Sequence, residues 1–228
     1  GAGGGGGGIY VPDVHLDLSS ETVLTTDWVE GQPVDELIKQ NAPQSVRDSV
    51  SSLLISLVLK ELFEFRLVQT DPNWSNFLYD TQTDTLNLID FGALNEYPVE
   101  FVREYGKLVV ACANKDRSGI LKYSRSIGFL CGRESPAMIK AHVEAAYIMG
   151  EPFAEDALFD FHEFKYGERM AEQGTVFLNH RLVPPPKEVY SLHRKLFGAI
   201  STCIKVRSRV NCRNKLQESI SRVEAGAS

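Results

Sequence analysis

The chain has 228 residues, 43% hydrophobic and 24% charged, which suits a folded unit with a sizeable core and excludes an extended disordered chain. A formal net charge of −6 argues against nucleic-acid binding through overall charge. The four cysteines, Cys112, Cys131, Cys203 and Cys212, form no CxxC pair, zinc pattern or small disulfide framework, and read as free thiols of a reducing compartment.

Residues 1–8, GAGGGGGG, cannot bury side chains and read as a flexible linker or appended segment. No GK[ST] follows to make them a phosphate-cradling loop, and no secretory signal or transit peptide is evident in a start that looks cut. Residues 9–14 and 22–29 read as short extended segments, with Val23, Leu24, Trp28 and Val29 supplying β-branched and aromatic content. Gly31 and Pro33 punctuate the end of a 9–33 segment, and 34–39 suits a short helix. Asn41 is a candidate cap, with Gln44 three residues on, for an amphipathic helix carrying Val46, Val50, Leu53, Leu54, Leu57, Val58 and Leu62 at helical spacing. Arg47, Asp48, Ser51 and Lys60 take the other positions. The most apolar run, residues 53–65, is broken by Ser56, Lys60, Glu61 and Glu64, short of the ~18 apolar residues that span a bilayer.

Residues 77–79 and 85–89 read as two strands of a hairpin joined through 80–84. From Pro98 the pattern turns helical, over 98–114, 117–127, 136–149, 163–178 and 187–206, with Pro98 and Pro136 suited to first helical positions. Val183 and three prolines separate the last two helices. The expected fold class is therefore α+β and mostly helical, with no repeating βαβ pattern.

Chemistry concentrates in Gln69-Thr-Asp71-Pro-Asn-Trp-Ser-Asn76 and in Asp90-Phe91-Gly92. Phosphoryl-transfer sites of the kinase type need one carboxylate to orient or deprotonate the attacking oxygen. They also need an amide oxygen and a second carboxylate to hold Mg²⁺ on the nucleotide phosphates. Asp71 precedes Asn76 by the five positions of that pattern, and the hairpin is expected to return Asp90 beside the loop. A lone DFG or D-x₄-N arises by chance; order, intervening hairpin and preceding helix together carry the reading. Upstream, residues 23–31 suit the linker between the two lobes of a kinase. There Asp27 and Val29 would offer backbone groups to an adenine base, with Thr26 behind it. After Gly92 the chain reaches the Pro98 helix almost directly, with no A-P-E, so a peptide-substrate platform is not expected.

The segments VLTTDWVEG (residues 23–31), QTDPNWSNF (69–77), LIDFGA (88–93) and HRLVPPPKEVYSLHRK (180–195) together resemble the UbiB/ADCK family of atypical kinases, most narrowly its mitochondrial branch, over nearly the whole chain. The resemblance implies the C-terminal lobe of a protein-kinase-like fold. It divides the chain into the 1–8 segment, a 9–33 hinge region and a helical lobe over 34–228, with the N-terminal lobe absent. It implies an ATP- and Mg²⁺-dependent kinase or ATPase supporting ubiquinone (coenzyme Q) biosynthesis at the matrix face of the mitochondrial inner membrane, in partnership with other biosynthesis proteins. On it, Asp71 is the catalytic carboxylate, Asn76 and Asp90 are metal ligands, and Thr26, Asp27 and Val29 meet the nucleotide. The chain departs from the wider pattern in Gln69, where ordinary kinases have His, and in Leu94-Asn95, where many relatives have Thr-Arg. Without the other lobe's phosphate-contacting lysine, the chain by itself is expected to be inactive.

A small-molecule kinase of the aminoglycoside or choline type shares the Asp-to-Asn loop, and a nucleotide-gated scaffold without catalysis is the alternative from another class. His15, His142, His162, His180 and His193 show no ligand clustering, and Asp160 and Glu172 read as ordinary charges. Lys205, Arg207, Arg209, Arg213 and Lys215 form a local basic run, read as a solvated helix end or as a contact for anionic inner-membrane lipid.

Overall fold

The computed structural model describes residues 8–71 and 73–225. The glycine run over 1–7 lies outside them, and Gly8 opens the first strand.

The hairpin is the organising unit of the first half. Strands β4 (Phe77–Asp80) and β5 (Thr85–Leu88) pair antiparallel from Phe77–Leu88 to Asp80–Thr85. The turn holds because Asp80 accepts from the Gln82 N–H at 2.8 Å and the Thr83 hydroxyl at 2.7 Å, and Asp84 takes a left-handed φ of 52° that short acidic side chains tolerate. β1 (Gly8–Tyr10) adds parallel to β5, and β2 (Gln32–Pro33) adds antiparallel to β4, giving the order β1-β5-β4-β2. Pro33 sits on the edge strand, where a missing donor is tolerated. Between β1 and β2 the chain doubles back on itself. His15 donates its N–H to Thr25 at 2.9 Å, Asp27 to Asp13 at 3.0 Å, and Val14 bridges Thr26.

α1 (Val34–Lys39) is followed by α2 (Gln44–Lys60), which serves two cores. Val50, Leu54 and Leu57 pack with Val34, Tyr79 and Leu86 beside the sheet, while Ile55 and Leu59 pack with the later helices. A helix apolar on more than one side is a buried helix. The expected one-sided pattern is corrected accordingly, since Ser51 is fully buried. Asn41 does not cap α2; it lies at φ 51° after α1, and Pro43 takes the N-cap position. α2 runs into a π-helical turn, Glu61–Phe65, closed by Arg66 in the left-handed region at φ 55°. β3 (Leu67–Gln69) then pairs antiparallel with β6 (Leu94–Glu96), a ladder absent from the sequence reading.

The remainder is helical: α3 (Val99–Ala113), α4 (Arg117–Ser126), α5 (Pro136–Gly150), α6 (Tyr166–His180), α7 (Lys187–Val206) and α8 (Cys212–Ala225). Ser135 caps α5 by accepting from the Met138 N–H, with Pro136 at its first position. Pro98 precedes the first helical residue instead of occupying it. α8 lies within the expected helical lobe but beyond the last segment, 187–206, that apolar spacing marked as a helix. It packs on α2, and its basic residues are partly turned inward: Arg213 donates to Asn114 and Phe153, and Lys215 to Ser56. Of the C-terminal basic run only Lys205, Arg207 and Arg209 are exposed. β7 (Phe159–Asp160) and β8 (Arg209–Val210) tie the α5–α6 connection to the start of α8. Among the described residues no helix is long and apolar enough to cross a membrane.

Candidate active site

Three backbone bonds set the site. Thr70 donates its N–H to Ala93 at 2.9 Å, extending the β3–β6 ladder to the start of the loop. Asn76 donates its N–H to Asn73 at 3.2 Å, closing the 3₁₀ turn Trp74–Asn76. Ile89 donates to the Asn76 carbonyl at 3.1 Å, so the end of the hairpin returns to the end of the loop and Asp90 stands one residue from that bond. The hairpin register thus returns the chain before Asp90 to the end of the loop.

Asp71 is half-buried. Its Oδ1 accepts from the Asn73 N–H at 3.1 Å and its Oδ2 from the Asn76 amide nitrogen at 2.8 Å. Asn76 is buried, and with its nitrogen committed to Asp71 its Oδ1 is the amide atom left to accept or ligate. Asp90 is exposed and accepts from the Gly92 N–H at 2.8 Å. An amide oxygen and a carboxylate suit a hard cation, with nucleotide phosphates completing its shell. Among the described residues no three His, Cys, Asp or Glu side chains converge as a metal cluster.

The residues expected to meet the nucleotide base lie in the segment before β2. The Asp27 N–H is donated to Asp13 at 3.0 Å, and the Asp27 carbonyl accepts from the Thr26 hydroxyl at 3.3 Å, with its second lone pair left over. Its carboxylate accepts from the Tyr10 hydroxyl at 3.0 Å and lies 2.7 Å from His15 Nε2; these bonds, His15 first, hold it below the usual carboxylate range. Thr26 is exposed and Val29 is half-buried.

Behind the loop lies a buried ionic cluster that sequence reasoning missed. Lys195 of α7, 4% exposed, places Nζ 3.1 Å from Glu61 Oε2, 3.4 Å from Gln69 Oε1 and 4.9 Å from the centre of the Phe77 ring. Burial pushes Glu61 up and Lys195 down, each partly offset by the other's charge, with Asp71 also favouring the charged lysine. The neighbouring Arg194 donates to the Thr70 carbonyl at 2.8 Å, and Asn95 donates to the Thr70 hydroxyl at 3.1 Å. The loop is therefore held from α7, from the π-helical turn and from β6. The sequence signal was the SLHRK segment, which carried the resemblance without a stated role. Gln69, in place of histidine, supplies the amide oxygen that Lys195 meets.

The family model for the ABC1 atypical kinase-like domain matches residues 6–124, the stretch that holds the sheet, α2, the loop and the DFG segment. The chain belongs to the ABC1 atypical kinase-like family. The ABC1 relatives include zebrafish (Danio rerio) atypical kinase COQ8B, mitochondrial, 43% identical over 90% of this chain and 32% of that protein. The rat (Rattus norvegicus) COQ8B is 42% identical over 93% of the chain and 40% of its own length. Saccharomyces cerevisiae atypical kinase COQ8, mitochondrial, is 36% identical over 91% and 42%. The chain thus spans about a third to two fifths of these ABC1 proteins, whose names carry the mitochondrial compartment expected from sequence. Among solved structures, Rv3197 of Mycobacterium tuberculosis, determined with erythromycin, superposes with a TM-score of 0.75 at 21% identity, covering 93% of this chain and 52% of that one. The ABC1 chain has the mostly helical α+β architecture of a kinase-like C-terminal lobe.

Proposed function

We propose that this chain supplies the metal-holding half of the active site of an ATP- and Mg²⁺-dependent atypical kinase or ATPase that supports coenzyme Q biosynthesis. The observation that carries the reading is the Asp71–Asn76–Ile89 chain of bonds, which ties the loop carboxylate to an amide side chain and brings the end of the hairpin, one residue before Asp90, back to the loop. Asn76 and Asp90 are the residues that would hold Mg²⁺, whose chemistry there is to neutralise charge on the nucleotide phosphates. Asp71, kept in place by two donors, orients or deprotonates the attacking water or hydroxyl. Thr26, the Asp27 carbonyl and the Val29 N–H are the proposed contacts of the base. Between Gly92 and α3 the chain has room only for β6, paired to β3, and this favours hydrolysis or a small-molecule acceptor over a peptide. The proposed setting is the matrix face of the mitochondrial inner membrane, with coenzyme Q biosynthesis proteins as partners and Lys205, Arg207 and Arg209 available to anionic lipid.

The test is ATP turnover by the full-length parent, its Asp90→Ala variant and the 228-residue chain. The parent is expected to hydrolyse ATP with Mg²⁺, and the variant to lose on the order of 10²-fold or more. The chain alone is expected to show little activity, because positioning and charge neutralisation need groups on both sides of the phosphates. Unchanged Mg²⁺ dependence in Asp90→Ala removes the metal assignment. Nucleotide binding without turnover in the parent favours a gated scaffold, and phosphate recovered on an aminoglycoside or choline favours the small-molecule kinase.

A further inference from the structure

Away from the candidate active site, helices α2, α3, α5, α6 and α7 enclose a cavity of about 340 Å³. α6 packs on α5, and α7 packs on α2, so the two helix pairs stand apart where α6 faces α7. Short side chains deepen the gap: Ala145 and Ala146 of α5 line it, with Met149, Met170, Phe177 and Phe197 forming much of the remaining wall. The volume falls within the range of small-ligand sites, which are concave and mostly apolar with few polar groups. Unfilled space along the apolar part of such a wall forfeits dispersion contacts with the lining.

The polar groups of the cavity are few and lie together. Around Phe129, the His142 ring centre stands at 5.9 Å and that of His193 at 5.5 Å. His142 Nε2 meets the Ser124 hydroxyl at 2.8 Å, and His193 Nε2 meets the Tyr105 hydroxyl at 3.1 Å. Arg181 also lines the cavity and is exposed, which places it at the mouth, with its guanidinium 5.2 Å from the centre of the Phe177 ring. Burial first, and then the charge of Arg181, holds both imidazoles neutral, with pKa values of about 4. The guanidinium is therefore felt at both histidines. It makes no ion pair among the described residues. Glu134, the carboxylate that acts on His142, is held by the Cys131 and Gly132 N–H groups. A cation without a counter-ion at the mouth of an apolar chamber, next to two neutral imidazoles, is complementary to an anionic oxygen attached to an apolar body.

We propose that this cavity binds a small apolar molecule bearing one anionic oxygen head, of which a medium-chain carboxylate is the simplest case. The tail lies among α5, α6 and α7, and the head meets Arg181. The site is separate from the loop that carries Asp71, and the proposal does not depend on the kinase reading.

Decanoate is a suitable probe, and the chain's three methionines localise it. Met149 and Met170 line the cavity, whereas Met138 is buried in α5 outside it. In protein labelled at the methionine methyls, decanoate should shift the Met149 and Met170 signals in a saturable way and leave Met138 in place. Arg181→Gln should weaken decanoate by roughly tenfold or more and leave decanol unchanged, since a charge-assisted bond is lost and the apolar contacts remain. Ala146→Phe should abolish binding of both; if that variant fails to fold, the methyl shifts of the unmodified chain decide. The proposal is overturned by absent or unsaturable binding, by binding that leaves Met149 and Met170 unmoved, or by Arg181→Gln binding decanoate as tightly as the unmodified chain. It is also overturned if the 228-residue chain binds decanoate and the full-length parent does not, because a segment of the parent then fills the cavity.

Discussion

Lys195 and Glu61 are each about 5% exposed and meet at 3.1 Å, so each removes the other's uncompensated buried charge. Desolvation offsets most of the Coulombic gain in such pairs, and their net contribution to stability is small. Removing one partner is different, because it strands the other charge. Lys195→Met is expected to cost about 3–5 kcal/mol in urea unfolding, whereas the double variant Lys195→Met with Glu61→Met should recover most of that. A single variant within about 0.5 kcal/mol of the unmodified chain, or strictly additive costs in the double, would show that the pair is not coupled. The same pair backs Gln69, two residues before Asp71, so a variant that folds also reports on loop geometry.

At the scale of elements, the hairpin β4–β5 carries the site, and Gly31 controls how the preceding segment joins it. Gly31 has φ 125°, and a Cβ there would stand 2.9 Å from the Tyr79 carbonyl carbon, closer than backbone permits. One residue earlier, the Glu30 carbonyl accepts from Asn87 at 2.9 Å, so the join is also a hydrogen-bonded corner. Gly31→Ala is expected to cost about 1–3 kcal/mol from backbone strain alone. Gly174 of α6 makes the control, since nothing lies within 4 Å of its would-be Cβ and helix interiors favour alanine. Gly174→Ala should stabilise by about 0.5–1 kcal/mol. Denaturant midpoints that rank the two substitutions the other way would refute the corner.

For the whole molecule, the helical core sets a pH dependence. His142 and His193 have pKa values of about 4 in the fold against an ordinary value near 6.5, through burial and through Arg181. Below pH ~6.5 the unfolded chain takes up protons that the folded chain refuses, so stability is full above that value. It falls as pH drops toward ~4, and these two groups add no further loss below that. One pKa unit is worth about 1.4 kcal/mol, so each histidine accounts for a loss on the order of 3 kcal/mol across that window. Unfolding midpoints measured from pH 7.5 to 4.5 should decline steeply, and His142→Gln should flatten the curve. A level profile over that range would show that the imidazoles are not held neutral. The exposed Leu16, Leu24 and Trp28 belong to the same scale, since they place apolar surface along the segment upstream of β2.

Local patterns were enough for much of this protein. The hairpin follows from β-rich segments around a turn whose Asp80 and Asp84 supply its bonds, and the helices from apolar spacing with Ser135 and Pro136 at a cap. The Asp71-to-Asn76 spacing and Asp90 could be picked out because the proposed chemistry is specified by short-range order along the chain. What lay beyond local pattern was pairing between distant residues. β3 and β6 are too short to read alone and exist because each completes the other's backbone bonds across 25 residues or so of chain. The burial of Ser51, the exposure of Thr26, the inward turn of Arg213 and Lys215, and the meeting of Lys195 with Glu61 all depend on which helix faces which. A side chain's surroundings are set by partners brought from far along the sequence, and only the packed structure decides those.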